Sequence, residues 1–98
     1  MMGRVLRTTE ALQDLDDVWT YVARQNVTAA DRLIDRLFDR FLLLAAHPAS
    51  GELQSQLADG QYRRIVEGNY VVYYLPDNDG VTIVRVLHAA RSNTDLLQ

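Results

Sequence analysis

The residues best suited to chemistry in this 98-residue chain gather near its C-terminal end. They are Arg63, Arg64, Arg85, His88 and Arg91, with Tyr62, Tyr70, Tyr73 and Tyr74 interleaved. Guanidinium forks bind phosphate oxygens in pairs, and a Tyr or His can carry a proton to or from a reacting oxygen. RNA cleavage without a metal needs a base at the 2′-hydroxyl, an acid at the leaving oxygen and cations around the phosphorane. Arg64, Arg85 and His88 are the candidates for those roles. Strict alternation along "VTIVRVLH" puts Val81, Ile83, Arg85 and Leu87 on one face and Val84, Val86 and His88 on the other. Arg85 and His88 therefore diverge unless a bulge intervenes, and an ion pair between Arg85 and a helix carboxylate competes with the catalytic reading.

Other chemistries find less support. The chain has no cysteine and two histidines, so thiol nucleophiles, disulfides and a zinc site are not expected. His47 precedes Pro48 with no partner at ligand spacing, and the adjacent Asp16 and Asp17 on a helix do not converge. No glycine-rich phosphate loop and no GxSxG pattern occurs. No metal and no cofactor is expected. All ten basic residues are Arg, against thirteen acids, for a net charge of −3. That balance argues against non-specific binding to nucleic acid. No apolar run is long enough to span a membrane, and "MMGRVLRTTEAL" has no secretory core, so a cytoplasmic protein is expected.

The elements that must position these residues read as one domain over residues 1–98, of α+β class. "RVLRT" (Arg4 to Thr8) is an edge strand, and Thr8 or Thr9 caps a helix with Leu12, Leu15, Val18, Trp19, Val22 and Ala23 at helical spacing. After "RQNVT", Thr28 with Asp31 reads as a second cap. The next helix presents Ala30, Leu33, Ile34, Leu37, Phe38, Phe41, Leu42 and Ala45 as a stripe, with Arg32–Asp35 and Arg36–Asp39 pairs on its solvent side. Pro48 ends it. "QYRRIV", "YVVYYL" and "VTIVRVLH" then read as three antiparallel strands separated by "EGN" and "PDNDG", and "SNTDLLQ" is a short tail. The expected architecture is an antiparallel helical hairpin on one face of a three- to four-stranded antiparallel sheet.

"GNYVVYYLPDNDGVTIVRVLHAAR" is apolar on both faces: Tyr70, Val72 and Tyr74 point one way, and Val71, Tyr73 and Leu75 the other. Two helices cover one face only. The second face is either an interaction surface or is closed by the tail, by "GELQSQLADG" or by self-association.

The blocks "DLDDVWTYVA", "AADRLIDRL", "HPASG", "YRRIVEGNYVVYYL" and "VTIVRVLHAAR" resemble, in order and spacing, the ParE branch of the RelE/ParE toxin superfamily. The resemblance covers roughly residues 4–91. It implies a bacterial type II toxin with a helical hairpin on an antiparallel sheet, a ParD-like antitoxin as partner, and DNA gyrase as target. With such a partner and target, the apolar residues read above, Trp19, Tyr70, Val72, Tyr73, Tyr74 and Leu75, are the candidates for antitoxin contact, and the cluster Arg63, Arg64, Arg85, His88 and Arg91 the candidates for target contact. The RelE branch instead cleaves ribosome-bound mRNA with basic residues that include Lys. This chain has none, and "GELQSQLADGQ" carries no basic residue. A ParE-like inhibitor is therefore expected rather than a ribonuclease; the alternatives are that ribonuclease and a toxin-derived binding module without toxicity.

Overall fold

The computed structural model describes residues 3–57 and 60–91, the latter without the Arg91 side chain. The elements run β1 (Arg4–Arg7), α1 (Thr9–Ala23), α2 (Val27–Ala46), a 3-10 turn (Pro48–Ser50), β2 (Glu52–Leu53), β3 (Arg63–Glu67), β4 (Tyr70–Asp77) and β5 (Gly80–His88). A second 3-10 turn, Ala89–Arg91, follows. The expected tail "SNTDLLQ" lies outside the described residues.

The strands form one five-stranded sheet in the order β1-β5-β4-β3-β2. This exceeds the expected three to four strands, and the sheet is mixed. β1 lies parallel to β5, pairing Arg4 with Gly80 through Arg7 with Ile83, while the remaining ladders are antiparallel. The parallel pairing follows from the helical hairpin, which serves as a long crossover between β1 and the rest of the sheet. β2 is the added strand: two residues, Glu52 and Leu53, pair with Arg64 and Arg63, too short a run for alternation to reveal.

Each helix starts where a short polar side chain can accept an unpaired amide. The Thr8 side chain accepts from Ala11 at α1. At α2 the cap is Asn26, accepting from Ala29, rather than the expected Thr28; the helix begins two residues earlier than the Thr28–Asp31 spacing suggests. On the solvent side of α2, Arg36, expected to pair with Asp39, turns to the sheet instead, and Arg40 joins it. Arg40 lies 3.1 Å and Arg36 3.9 Å from Glu67 of β3.

The main core lies between the hairpin and one sheet face: Leu15 and Val18 of α1, Leu37 and Phe41 of α2, and Tyr70, Val72, Tyr74, Ile83 and Val86 of the sheet. Trp19, Leu12, Phe38 and Leu42, expected within the apolar stripes, are instead exposed. They sit on the edges of stripes wider than the helix-to-sheet contact. Tyr74 also holds the chain after α2: its buried hydroxyl donates to the Pro48 carbonyl and accepts from the Gly51 amide, each at 2.8 Å. A Cβ at Gly51 would lie 2.7 Å from the Tyr74 ring, so glycine is needed for that approach.

The opposite face was open to two readings, and its central residues are covered. Val71, Tyr73 and Leu87 are buried with Leu57, which comes from the "GELQSQLADG" segment, and Tyr62 packs beside them. The segment between β2 and β3 thus does for this face, on a smaller scale, what the hairpin does for the other. The expectation that Val71 and Tyr73 await a partner chain is corrected accordingly.

Candidate functional site

A cleft of about 620 Å³ lies between the outer flank of α1 and the C-terminal half of β5. β1 pairs with β5 only as far as Ile83. Beyond it α1 crosses the strand edge, and side chains take over the work of a neighbouring strand. Thr8 bonds the Ile83 and Val84 carbonyls through its amide and hydroxyl. Asp14, buried on α1, accepts from the Val86 amide at 2.9 Å.

The same carboxylate holds Arg85 in a two-pronged pair, Nε to Oδ2 at 2.8 Å and Nη2 to Oδ1 at 3.0 Å. The hydrogen bonds to Asp14 push the Arg85 guanidinium up; burial opposes them, and the charges of Asp14 and Glu10 add to the rise. The Arg85 cation is thus directed at the chain's own helix. This is the helix-carboxylate partner that competes with catalysis for Arg85.

A bulge does interrupt β5. The register shifts between Tyr73 and Tyr74, which pair with Arg85 and Ile83 and leave Val84 without an opposite residue. The strict alternation expected for this strand is corrected by it: Val81, Ile83 and Val86 all join the hairpin-side core, and Leu87 joins the opposite cluster. Beyond the bulge Arg85 and His88 still alternate, opposite Tyr73 and Tyr70, yet both line the α1–β5 cleft, because Arg85 reaches Asp14 on α1. His88 is exposed at the strand end, edge-on to the Tyr70 ring at 5.4 Å, and its Nδ1 accepts from the Ala90 amide. Burial pushes the Tyr70 phenol up from its ordinary value, and nearby Tyr21 reinforces the shift. Arg24 and the exposed Tyr21 complete the cleft from the α1 side.

The other candidates lie elsewhere. Arg63 donates to the Ala49 and Gly51 carbonyls at 3.2 and 2.7 Å, and so ties β3 to the turn after α2. Arg64 faces Tyr73 across the ladder, and Tyr73 faces Arg85, so the two arginines stand two strands apart, roughly 10 Å. Its Nε pairs with Glu52 at 3.1 Å. The Glu52 carboxyl is lowered by the Gln54 hydrogen bond first and by Arg64 second. The Arg91 backbone ends the last turn.

Among the antitoxin-contact candidates, Tyr70, Val72, Tyr73 and Tyr74 are buried within the chain, while Trp19 and Leu75 retain exposure. Trp19 donates its indole N–H to Asp31 at 2.8 Å, which ties α1 to α2. The reading that put Asp14 with Glu10, Asp16 and Asp17 on the polar face of the first helix is corrected: Asp14 is buried, set among Ala11, Leu15 and Val18 on the inner face of α1.

The geometry has counterparts among known proteins. The profile of the family described as ParE toxin of type II toxin–antitoxin system, parDE, matches residues 5–93. Toxin ParE1 of Caulobacter vibrioides is 39% identical over 79 residues, 80% of each chain. Toxin ParE3 of the same organism is 37% identical over 87 residues, 88% of this chain and 86% of its own. Toxin RelE2, also from that organism, is 35% identical over 91 residues, 92% of this chain and 99% of its own. A solved structure titled chromosomal ParDE TA system from P. aeruginosa superimposes with a TM-score of 0.71 at 16% identity. It covers 89% of this chain and 96% of its own, and so supports the fold. On the profile match and these identities, the chain belongs to the ParE toxin family of type II toxin–antitoxin systems.

Proposed function

We propose that this ParE-type toxin acts in the cytoplasm by binding and inhibiting DNA gyrase, without chemistry of its own, and that a ParD-like antitoxin neutralises it. The observation that carries the non-enzymatic reading is the engagement of its arginines. Arg85 is locked to Asp14, Arg63 to two backbone carbonyls and Arg64 to Glu52. A phosphorane needs cations aimed at the space where its charge develops. These three are turned to partners inside the fold. Antitoxin contact is left to the candidates that keep exposure, Trp19 and Leu75, with Tyr70, Val72, Tyr73 and Tyr74 supporting the fold beneath.

The second reading is a ribosome-dependent mRNA endoribonuclease using Arg64, Arg85 and His88. It is favoured by the similarity to Toxin RelE2 and by the shared cleft of Arg85 and His88. Two assays on the purified chain separate the readings. Inhibited supercoiling by purified gyrase, with intact ribosome-bound mRNA on primer extension, is the expected result. Cleavage of that mRNA with unimpaired supercoiling would replace the proposal by the ribonuclease. Unimpaired growth on expression without antitoxin would leave a binding module without toxicity.

A further inference from the structure

We propose that the α1–β5 cleft binds a free nucleoside 5′-monophosphate, with Tyr21, Arg24, Tyr70 and His88 as its phosphate receptor. The inference goes beyond the proposed function, because neither inhibition of gyrase nor cleavage of mRNA makes use of Tyr21 or Arg24.

The receptor lies at one end of the cleft. Tyr70 pairs with His88 across the β4–β5 ladder, and the two rings meet edge-on at 5.4 Å. Tyr21 reaches the same place from α1, close enough for its charge to be felt at the Tyr70 phenol. Arg24 follows Tyr21 by three residues and so shares its face of the helix. All four side chains line the cleft.

Each of them presents a donor. His88 accepts the Ala90 amide at Nδ1, so the neutral ring carries its proton on Nε2. Tyr70 is 8% exposed, and among the described residues its hydroxyl has no hydrogen-bond partner. The oxygen is reached from the cleft, and a phenol so far buried and unpaired calls for an acceptor from outside the chain. Arg24 is exposed and makes no ion pair among the described residues, whereas Arg85 is held by Asp14. Two phenols, an imidazole and a guanidinium suit the terminal oxygens of a phosphate monoester, which accept several hydrogen bonds at once.

Charge favours an anion at this end of the cleft. Asp14 is neutralised by Arg85, and Asp17 lies two helical turns from Arg24, about 10 Å along the axis. The C-terminal end of α1 contributes roughly half a negative charge, against the full positive charge of Arg24 at the cap. The volume of about 620 Å³ exceeds what a bare phosphate fills and suits a small organic ligand. Whatever extends from the phosphate meets the Tyr21 ring, 65% exposed, with the Asp17 carboxylate and the Thr20 hydroxyl beside it. A flat base stacks on the ring and sugar hydroxyls donate to the carboxylate, which is the polarity of a nucleoside. The same chemistry occurs at the 5′ end of a nucleic-acid strand, but a net charge of −3 favours the free nucleotide.

Isothermal titration calorimetry on the full chain at neutral pH tests the site, with adenosine 5′-monophosphate as the probe. This nucleotide holds no phosphodiester, so its binding is read independently of the ribonuclease and gyrase assays. One molecule should bind per chain, about tenfold more tightly than inorganic phosphate or adenosine alone. Arg24→Gln, at an exposed position, should weaken binding about tenfold, and Tyr70→Phe, which keeps the buried ring, about fivefold. Arg32→Gln, on the solvent side of α2, should leave it unchanged. No binding, equal binding of phosphate or of adenosine, or full affinity in both the Arg24→Gln and Tyr70→Phe proteins would each overturn the proposal. Tighter binding of a 5′-phosphorylated tetranucleotide than of the mononucleotide would overturn the assignment to a free nucleotide.

Discussion

On one side of the sheet, residues from both helices and three strands pack into a single buried cluster; on the other, Leu57, Val71, Tyr73 and Leu87 form a much smaller one. The first is assembled by periodicity. Two amphipathic helices bring rows of side chains, and every row buries several neighbours at once. The second depends on one side chain carried in by an irregular segment. Both faces exclude water at their centres, yet the loss of one residue should be felt differently. Phe41→Ala, under the hairpin, removes a fully buried ring from the larger cluster and should cost about 3–5 kcal/mol of unfolding free energy. The measurement is the denaturant midpoint at unchanged slope.

The edge between the two faces is the next place to press. Asp14 there holds both the Arg85 guanidinium and the Val86 amide. Asp14→Ala leaves a largely buried cation and a buried N–H without their acceptor, for an expected cost of about 2–4 kcal/mol. A double variant, Asp14→Ala with Arg85→Leu, should recover part of that loss, because an apolar pair does not leave a charge stranded. If the double variant is as unstable as the sum of both single changes, the pairing is not what the edge depends on.

Leu57→Ala probes the smaller cluster itself. The segment that carries Leu57 is anchored by backbone bonds from Leu57 to Gln54 and from Gln54 to Tyr62, so it can settle inward after truncation. The expected cost is about 2 kcal/mol, at the low end for a buried leucine. A loss equal to that of Phe41→Ala would mean that the two faces are supported alike, and the contrast drawn above would fail.

The same contrast explains what could be read from the sequence. The hairpin face was legible because Leu15, Val18, Leu33, Leu37 and Phe41 recur with the helical period, and Tyr70, Val72 and Tyr74 with the strand period. Which stripe residues stay outside was not legible: Leu12, Trp19, Phe38 and Leu42 match the period as well as Leu37 does. Burial there depends on the angle at which the helices meet the sheet. The closure by Leu57 has no period at all. The bulge at Val84 was hidden for the same reason, since one inserted residue leaves the composition of "VTIVRVLH" unchanged while turning Val86 to the hairpin side and Leu87 to the other. That shift lies before Arg85 and so leaves Arg85 and His88 on alternate faces, opposite Tyr73 and Tyr70; it is the reach of Arg85 to Asp14 at the strand edge that brings both to the cleft and makes Arg85 an internal ion pair.

The smallest expected effect is at Tyr70, which closes the core at the cleft beside His88 and Tyr21. Burial raises its phenol above the ordinary 10.0, so the fold favours the protonated ring. A group whose folded pKa lies above its unfolded value leaves stability intact below the unfolded value and removes it as pH climbs toward the folded one. Stability should therefore be flat with respect to Tyr70 at neutral pH and decline from about pH 10 upward. Tyr70→Phe has no proton to lose at this position and keeps the ring that packs under the hairpin. Its unfolding free energy, followed by urea titration between pH 8 and 11, should fall less steeply than that of the parent. Parallel alkaline limbs in the two proteins would show that the Tyr70 hydroxyl is solvated through the cleft, and that the main core ends one residue short of it.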